Sequence, residues 1–251
     1  MAVSSKELGS LPISKLLLKQ SVPASIGILF MSVNILVDTI FVGQWIGSLA
    51  IAAVSVVLPI TFLISSLGMA IGIGGSSIIS RALGEENPEK AVLTLGNQLM
   101  LTLLLAVSTV IVGTFYMHDI LLLFGANGDI MEPAEAFFKP VLYAVPFLAL
   151  CMMGNTVIRA EGKPKFAMIA MIIPAFSNIF LDVLFIKFFN WGIFGAAMAT
   201  AISYFICFSF IAWFFISKSE LRLKMQHLKF DTEIVKEIGS LGFVTFARQG
   251  V

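Results

Sequence analysis

Residues 51–80 read IAAVSVVLPITFLISSLGMAIGIGGSSIIS, a run without a single charged side chain. A helix that crosses the roughly 30 Å hydrocarbon core of a bilayer needs about 20 apolar residues. This run exceeds that length, and five others meet it: 21–42, 91–116, 137–158, 166–188 and 192–217. A seventh apolar segment starts near Ile238 and is cut off at Val251. Membrane-spanning β-strands would be about ten residues long and would alternate in polarity. These runs are continuous and about twice that length. The expected fold class is therefore an all-α membrane protein, a six-transmembrane-helix bundle with a truncated seventh helix.

Composition supports this. The chain is 58% hydrophobic and only 12% charged, with a mean hydropathy of +0.98. Soluble domains carry about 25% charged residues. A net charge of +1 argues against a nucleic-acid partner. Cys151 and Cys207 both lie in apolar runs and read as reduced packing residues, because a disulfide scaffold needs more cysteines in polar loops. The polar N-terminus, residues 1–20, precedes an apolar run too long for a signal-peptide core, so that run reads as the first span.

Lysine and arginine set the orientation. With the N-terminus inside, alternate loops hold Lys6, Lys15, Lys19, Arg81, Lys90, Arg159, Lys163, Lys165, Lys218, Arg222, Lys224, Lys229 and Lys236 on the inner side. The outer side holds only Lys139 and Lys187. The expected topology is multi-pass in the cell's inner (plasma) membrane with a cytoplasmic N-terminus. The expected domains are a bundle over 1–216, a cytoplasmic linker over 217–237, partly an amphipathic surface helix, and the start of a seventh span over 238–251. The basic residues of the 217–237 stretch are read as orienting, solvated side chains.

The two tight inner loops share a pattern, Arg81-Ala82-Leu83-Gly84 before Pro88 and Arg159-Ala160-Glu161-Gly162 before Pro164. Gly84 is expected to cap its helix, and proline to start the next one. Gly68 and Gly72 are expected to let helices approach closely.

Only two carboxylates, Asp38 and Asp182, fall well inside the spans. A charge at mid-bilayer costs about 2.5–3.5 kcal/mol on insertion scales, so an ion site is the default reading. The competing reading is helix glue or interfacial solvation. Asn34 lies one turn before Asp38, and Asn178 one turn before Asp182. Pro174, a further turn back, frees a backbone carbonyl. Asn155 in span four, and Thr200 and Ser203 in span six, add further polar atoms. This oxygen-rich set suits a proton or Na⁺ and lacks zinc's His and Cys ligands. Two carboxylates facing each other in low dielectric can share a proton and release it when the site opens. No nucleophile–base or metalloprotease motif occurs, which argues against an enzyme.

Several segments then resemble one family. They are Val37-Asp38-Thr39-Ile40-Phe41-Val42-Gly43, Gly72-Ile73-Gly74-Gly75-Ser76 with the first inner loop, Arg159 to Pro164, Asn178-Ile179-Phe180-Leu181-Asp182 and Gly195 to Thr200. Together, from about Ile13 to Val251, they resemble the multidrug and toxic compound extrusion (MATE) family. The resemblance implies the first lobe of a twelve-helix, two-lobe antiporter that exports small amphipathic or cationic drugs against H⁺ or Na⁺. It implies that Asp38, Asn178, Asp182 and Thr200 form the cation-coupling site, and the Na⁺ ligands if sodium is the ion. Asn34 and Asn155 are candidates for a substrate or polar network. No cofactor beyond the coupling ion is expected. The expected partners are the drug, the bilayer and the missing C-terminal six-helix lobe. A lipid-linked oligosaccharide flippase is the alternative, but it would need basic residues inside the spans, and no Lys or Arg lies mid-span.

Overall fold

A computed structural model describes residues 13–249. Lys6, with the rest of residues 1–12, and the chain end at 250–251 lie outside the described residues. The elements are α1 (Ile13–Trp45), α2 (Ser48–Gly84), α3 (Pro88–Phe115), α4 (Met117–Leu123), α5 (Met131–Ala160), α6 (Pro164–Asp182), α7 (Gly192–Ser217) and α8 (Thr232–Gln249). A π-helical turn, Val183–Phe188, extends α6. Among the described residues there is no strand, and six segments are long and apolar enough to cross a membrane. They are the six expected spans; the first five are extended at one or both ends, and the sixth keeps its expected bounds. The short α4 has no counterpart among the expected elements; it drives Leu121 into the core.

The bundle is organised around α2. Its glycines each admit a different neighbour. Gly68 and Gly72 lie against Ala149 and Met153 of α5, and Gly75 lies against the Gln98 side chain of α3. Gly74 sits under the Ile238 carbonyl of α8, and Gly242 of α8 sits in turn on the Ala70 carbonyl. The expected close approach at Gly68 and Gly72 is found, and Gly74 and Gly75 extend it to two further helices. Fully buried Gln98 donates from its amide to the Ile71 and Gly72 carbonyls at 3.2 and 2.8 Å, so a polar side chain bridges the same seam. By contrast α1 packs chiefly along α6 and is the least enclosed span.

The two tight loops look alike in sequence and differ in structure. In the second, Gly162 takes the left-handed conformation (φ 73°) directly after α5, and the amides of Gly162 and Lys163 close onto Arg159 and Ile158. In the first, α2 runs through Gly84 without capping there. The left-handed residue is Glu86 (φ 56°), and the Asn87 amide closes onto Ala82. The start of α3 sets this turn. Asn87 caps α3 by accepting the Lys90 amide at 3.1 Å, and Pro88 occupies the first turn.

The segment after α7 is docked rather than a surface helix. Glu161, 2% exposed, accepts hydrogen bonds from the Ser219 hydroxyl, the Lys163 ammonium (3.0 Å) and the Glu220 amide (3.1 Å). Lys163, 8% exposed, also donates to the Lys218 carbonyl at 2.6 Å. Lys163 is thus a buried ion-pair partner. Leu221 enters the core beside Ile79 and Val157, and the Asp231 amide donates to Asn97 at 2.8 Å. The last helix starts at Thr232 rather than near Ile238. The reason is that Asp231 caps it, accepting the amides of Glu233 and Ile234 at 2.9 and 3.2 Å.

The glycine seam is testable. Gly74→Ala places a methyl group on the Ile238 carbonyl and should cost about 1–3 kcal/mol. Gly84→Ala has open space around it and should gain up to about 1 kcal/mol of helix propensity. Equal melting temperatures for the two variants in detergent would refute the role given to the seam.

Candidate functional site

The site lies where α1 crosses α6. Asn34 and Asp38 stand one turn apart on α1, and Asn178 and Asp182 stand one turn apart on α6. The two pairs meet. The Asn34 amide donates to the Asn178 side-chain oxygen at 2.7 Å and lies 3.4 Å from the Ala175 carbonyl. The Asn178 amide reaches the Thr200 hydroxyl of α7 at 3.4 Å, and that hydroxyl donates to the Ala196 carbonyl at 3.1 Å. The Asp38 and Asp182 carboxyl groups are close enough to interact electrostatically, though no hydrogen bond joins them.

Asp182 is 0% exposed, yet neither of its carboxyl oxygens finds a protein donor, and neither does Oδ1 of Asp38. Buried polar atoms in folded proteins are almost always partnered. Three orphaned oxygens in one place, beside an amide and a hydroxyl, are a donor set for a proton or a hard cation. The chain departs from regular helix directly after Asp182, where the π-turn begins. Such turns recur at functional sites.

Asp38, Asn34, Asn178 and Thr200 line a cavity of about 1870 Å³ that runs between α1, α2, α5, α6 and α7 towards the tight loops. Asp182 lies one layer behind Asp38, out of the cavity wall. Asn155 lines the same cavity, but its amide donates to the Ala167 carbonyl at 2.7 Å. Ala167 is fifteen positions before Asp182 on α6, roughly 22 Å at helical rise, so Asn155 is not part of the aspartate network. Ser203 is buried and donates back to Ala199 at 2.7 Å, so it packs rather than joins the cluster. Tyr204, one turn after Thr200, also lines the cavity and is absent from the expected set. The signal that could have found it is its polar i+4 position in span six. The carbonyl freed by Pro174 is that of Ala170, and the Cys207 thiol occupies it at 3.2 Å.

The chain as a whole is similar to known proteins. The MatE family model matches residues 23–184, well over half of the chain. The chain belongs to the MatE family. It is 33% identical over 217 residues to Probable multidrug resistance protein YoeA of Bacillus subtilis (strain 168), covering 85% of this chain and 46% of that one. It is 31% identical over 227 residues to Multidrug export protein MepA of Staphylococcus saprophyticus subsp. saprophyticus, covering 90% of this chain and 50% of the other. The crystal structure of a MATE in the straight conformation superposes with a TM-score of 0.92 at 27% identity, covering 99% of this chain and 56% of that one. The chain thus spans about half the length of the curated relatives it matches. The family is one of transporters, not enzymes.

The orphaned oxygens predict a trade of stability for function. Asp182→Asn should fold with unchanged or higher thermal stability, by up to roughly 1–3 kcal/mol, because it removes an unsatisfied buried carboxyl group. A large loss of melting temperature in this variant would show that the carboxylate is structural glue.

Proposed function

We propose that this chain forms one six-helix lobe of a secondary exporter of small amphipathic or cationic drugs, driven by antiport with H⁺ or Na⁺. The single observation that carries this reading is the carboxyl pair Asp38–Asp182, with three unpartnered oxygens, Asp38 lining a large cavity and Asp182 behind it. A pair that shares one proton or one Na⁺ can be emptied when the cavity opens to the other side. Asn178 and Thr200 supply the neutral oxygens that Na⁺ needs and a proton does not. The relatives' names, multidrug resistance and multidrug export, agree with a drug substrate. The transported drug sits between this lobe and a second six-helix lobe, as two-repeat transporters arrange their sites near the membrane midplane. In this reading the protein is multi-pass in the inner (plasma) membrane, with the tight loops and the N-terminus cytoplasmic.

Among the described residues that line the cavity, Arg159 is the only Lys or Arg, and it stands at the tight-loop end. A pyrophosphate-linked substrate has no basic clamp beside the aspartates, so nothing favours the flippase alternative.

The test is dye efflux by a full-length, two-lobe transporter containing this lobe, with pH and Na⁺ gradients varied separately. Asp38→Asn and Asp182→Asn should each insert at the wild-type level and lose gradient-driven efflux. Asn178→Leu and Thr200→Val should abolish transport if Na⁺ drives it and spare much of it if protons do. Wild-type rates in both aspartate variants would sink the coupling role.

Orientation has its own check. Residues 161–164 are buried, so the exposed Lys165 serves for the second tight loop, the exposed Glu86 for the first, and Asp129 for the other side. In a background lacking Cys151 and Cys207, cysteines at 86 and 165 should react with an impermeant maleimide only from the cytoplasm, and one at 129 only from outside. Outside labelling at 165 would overturn the topology.

A further inference from the structure

Cys151 of α5 and Cys207 of α7 are the protein's only cysteines. Both are buried yet line the large cavity. Both thiols belong to one buried cluster at the α5–α7 contact. Neither orientation is accidental. Cys207 donates to the Ala170 carbonyl at 3.2 Å, the carbonyl that Pro174 leaves without its helical partner. Cys151 donates to the Tyr204 carbonyl at 3.6 Å, one turn from Cys207 on the same helix. Cys151 of α5 thus reaches α7 within one turn of Cys207, in the same buried cluster. The surroundings are apolar: Ala167, Ala170, Ile158 and Ile211 complete the cluster.

A packing role accounts for each thiol's bond to a carbonyl, but it does not call for two thiols in one cluster on a cavity wall. Two clustered sulfurs on a cavity wall, by contrast, are a bidentate soft donor. Apolar walls favour a neutral, lipid-soluble thiophile over a hydrated ion.

We propose that Cys151 and Cys207 form a dithiol site that captures soft thiophiles entering the cavity, trivalent organoarsenicals being the best-matched class. The reaction is a condensation. An arsenoxide R–As=O plus two thiols gives R–As(S)₂ and one water; the two S–H protons leave with the arsenoxide oxygen, two As–S bonds form, and no oxidant is required. The second As–S bond closes within the protein, so its effective concentration is high and pairing should gain roughly 100-fold or more in affinity over a single thiol. The site stands apart from the Asp38–Asp182 pair and does not depend on the transport reading, because binding is read on the chain itself.

The test uses the purified chain in detergent with phenylarsine oxide as the probe. Intact mass should show one phenylarsine per chain with loss of water. The adduct should protect both cysteines from N-ethylmaleimide, and ethanedithiol should reverse it where a monothiol does not. Cys151→Ser and Cys207→Ser should each weaken capture at least about 100-fold. Cys151→Ala and Cys207→Ala should do the same while eluting as monodisperse protein, which separates loss of the site from loss of the fold. Two arsenicals per chain, or capture retained by either single variant, would show that the thiols act separately and would overturn the proposal. So would thiols that stay inert to both reagents in the folded protein.

Discussion

The arrangement depends on how closely other backbones can approach α2. In a bilayer the apolar effect does not press helices together, since lipid tails are as apolar as leucine, and packing contacts take over. Dispersion falls off steeply with distance, so a helix without side chains at the contact gains most. Gly68, Gly72, Gly74 and Gly75 lie within two turns, and they admit α5, α3 and α8 on different sides. Gln98 adds a hydrogen-bonded bridge where a lipid-exposed amide would be costly. The helices that frame the cavity keep their spacing because this central strut is thin.

Buried polar groups elsewhere in the bundle differ widely in how far they are satisfied: Gln98 donates twice while its side-chain oxygen has no partner. At the tight-loop end Glu161 and Lys163 are nearly enclosed, and they share five polar contacts with Ser219, Glu220, Lys218 and each other. Breaking such a pair by removing one partner is costly, whereas a well-packed apolar pair can be as stable. Its worth lies in placement: it fixes where the chain leaves α7 and brings Leu221 and Asp231 to their seats. The aspartate pair is the opposite case. Its oxygens are left without donors inside the same protein that supplies Glu161 with three.

Much of this is legible in the sequence because lipid imposes one rule on the whole chain: backbone groups must be satisfied within a helix. Six spans follow from run length. The faces carrying Asn34 with Asp38, and Asn178 with Asp182, follow from helical spacing. What spacing cannot supply is the partner across an interface. Spacing sets Asn178 beside Asp182, but it does not show that Asn178 meets Asn34 while Asn155 meets a carbonyl on the neighbouring helix. Nor does it reveal that Lys163 folds inward onto Glu161 rather than into water, since basic residues in short loops serve orientation in either case. The matched loop sequences mislead for a related reason. A left-handed residue is placed by where the next helix must begin, so Glu86 takes in the first loop the conformation that Gly162 takes in the second. The late expected start of α8 has a local cause: Asp231 looks like linker charge in the sequence, and it is the cap.

The irregularities of α6 bear on how the site can work. A proline at 174 and a π-turn after 182 bracket the segment that carries Asn178 and Asp182. Each interruption removes a regular hydrogen bond, so this short stretch is held less by its own helix than by its neighbours. Those neighbours are α1, through Asn34 and Asp38, and α7, through Thr200. Of the three helices, α1 has the least other packing to hold it in place. Any change in the ion or proton held between the carboxyl groups therefore acts on the contact that α1 can least replace. A shift of a few kcal/mol there is enough to redistribute two conformations of α1, while α2 and its glycine seam stay fixed. Under the proposed function, that asymmetry between a loosely held helix and a rigid strut lets a small cation do mechanical work on a large cavity.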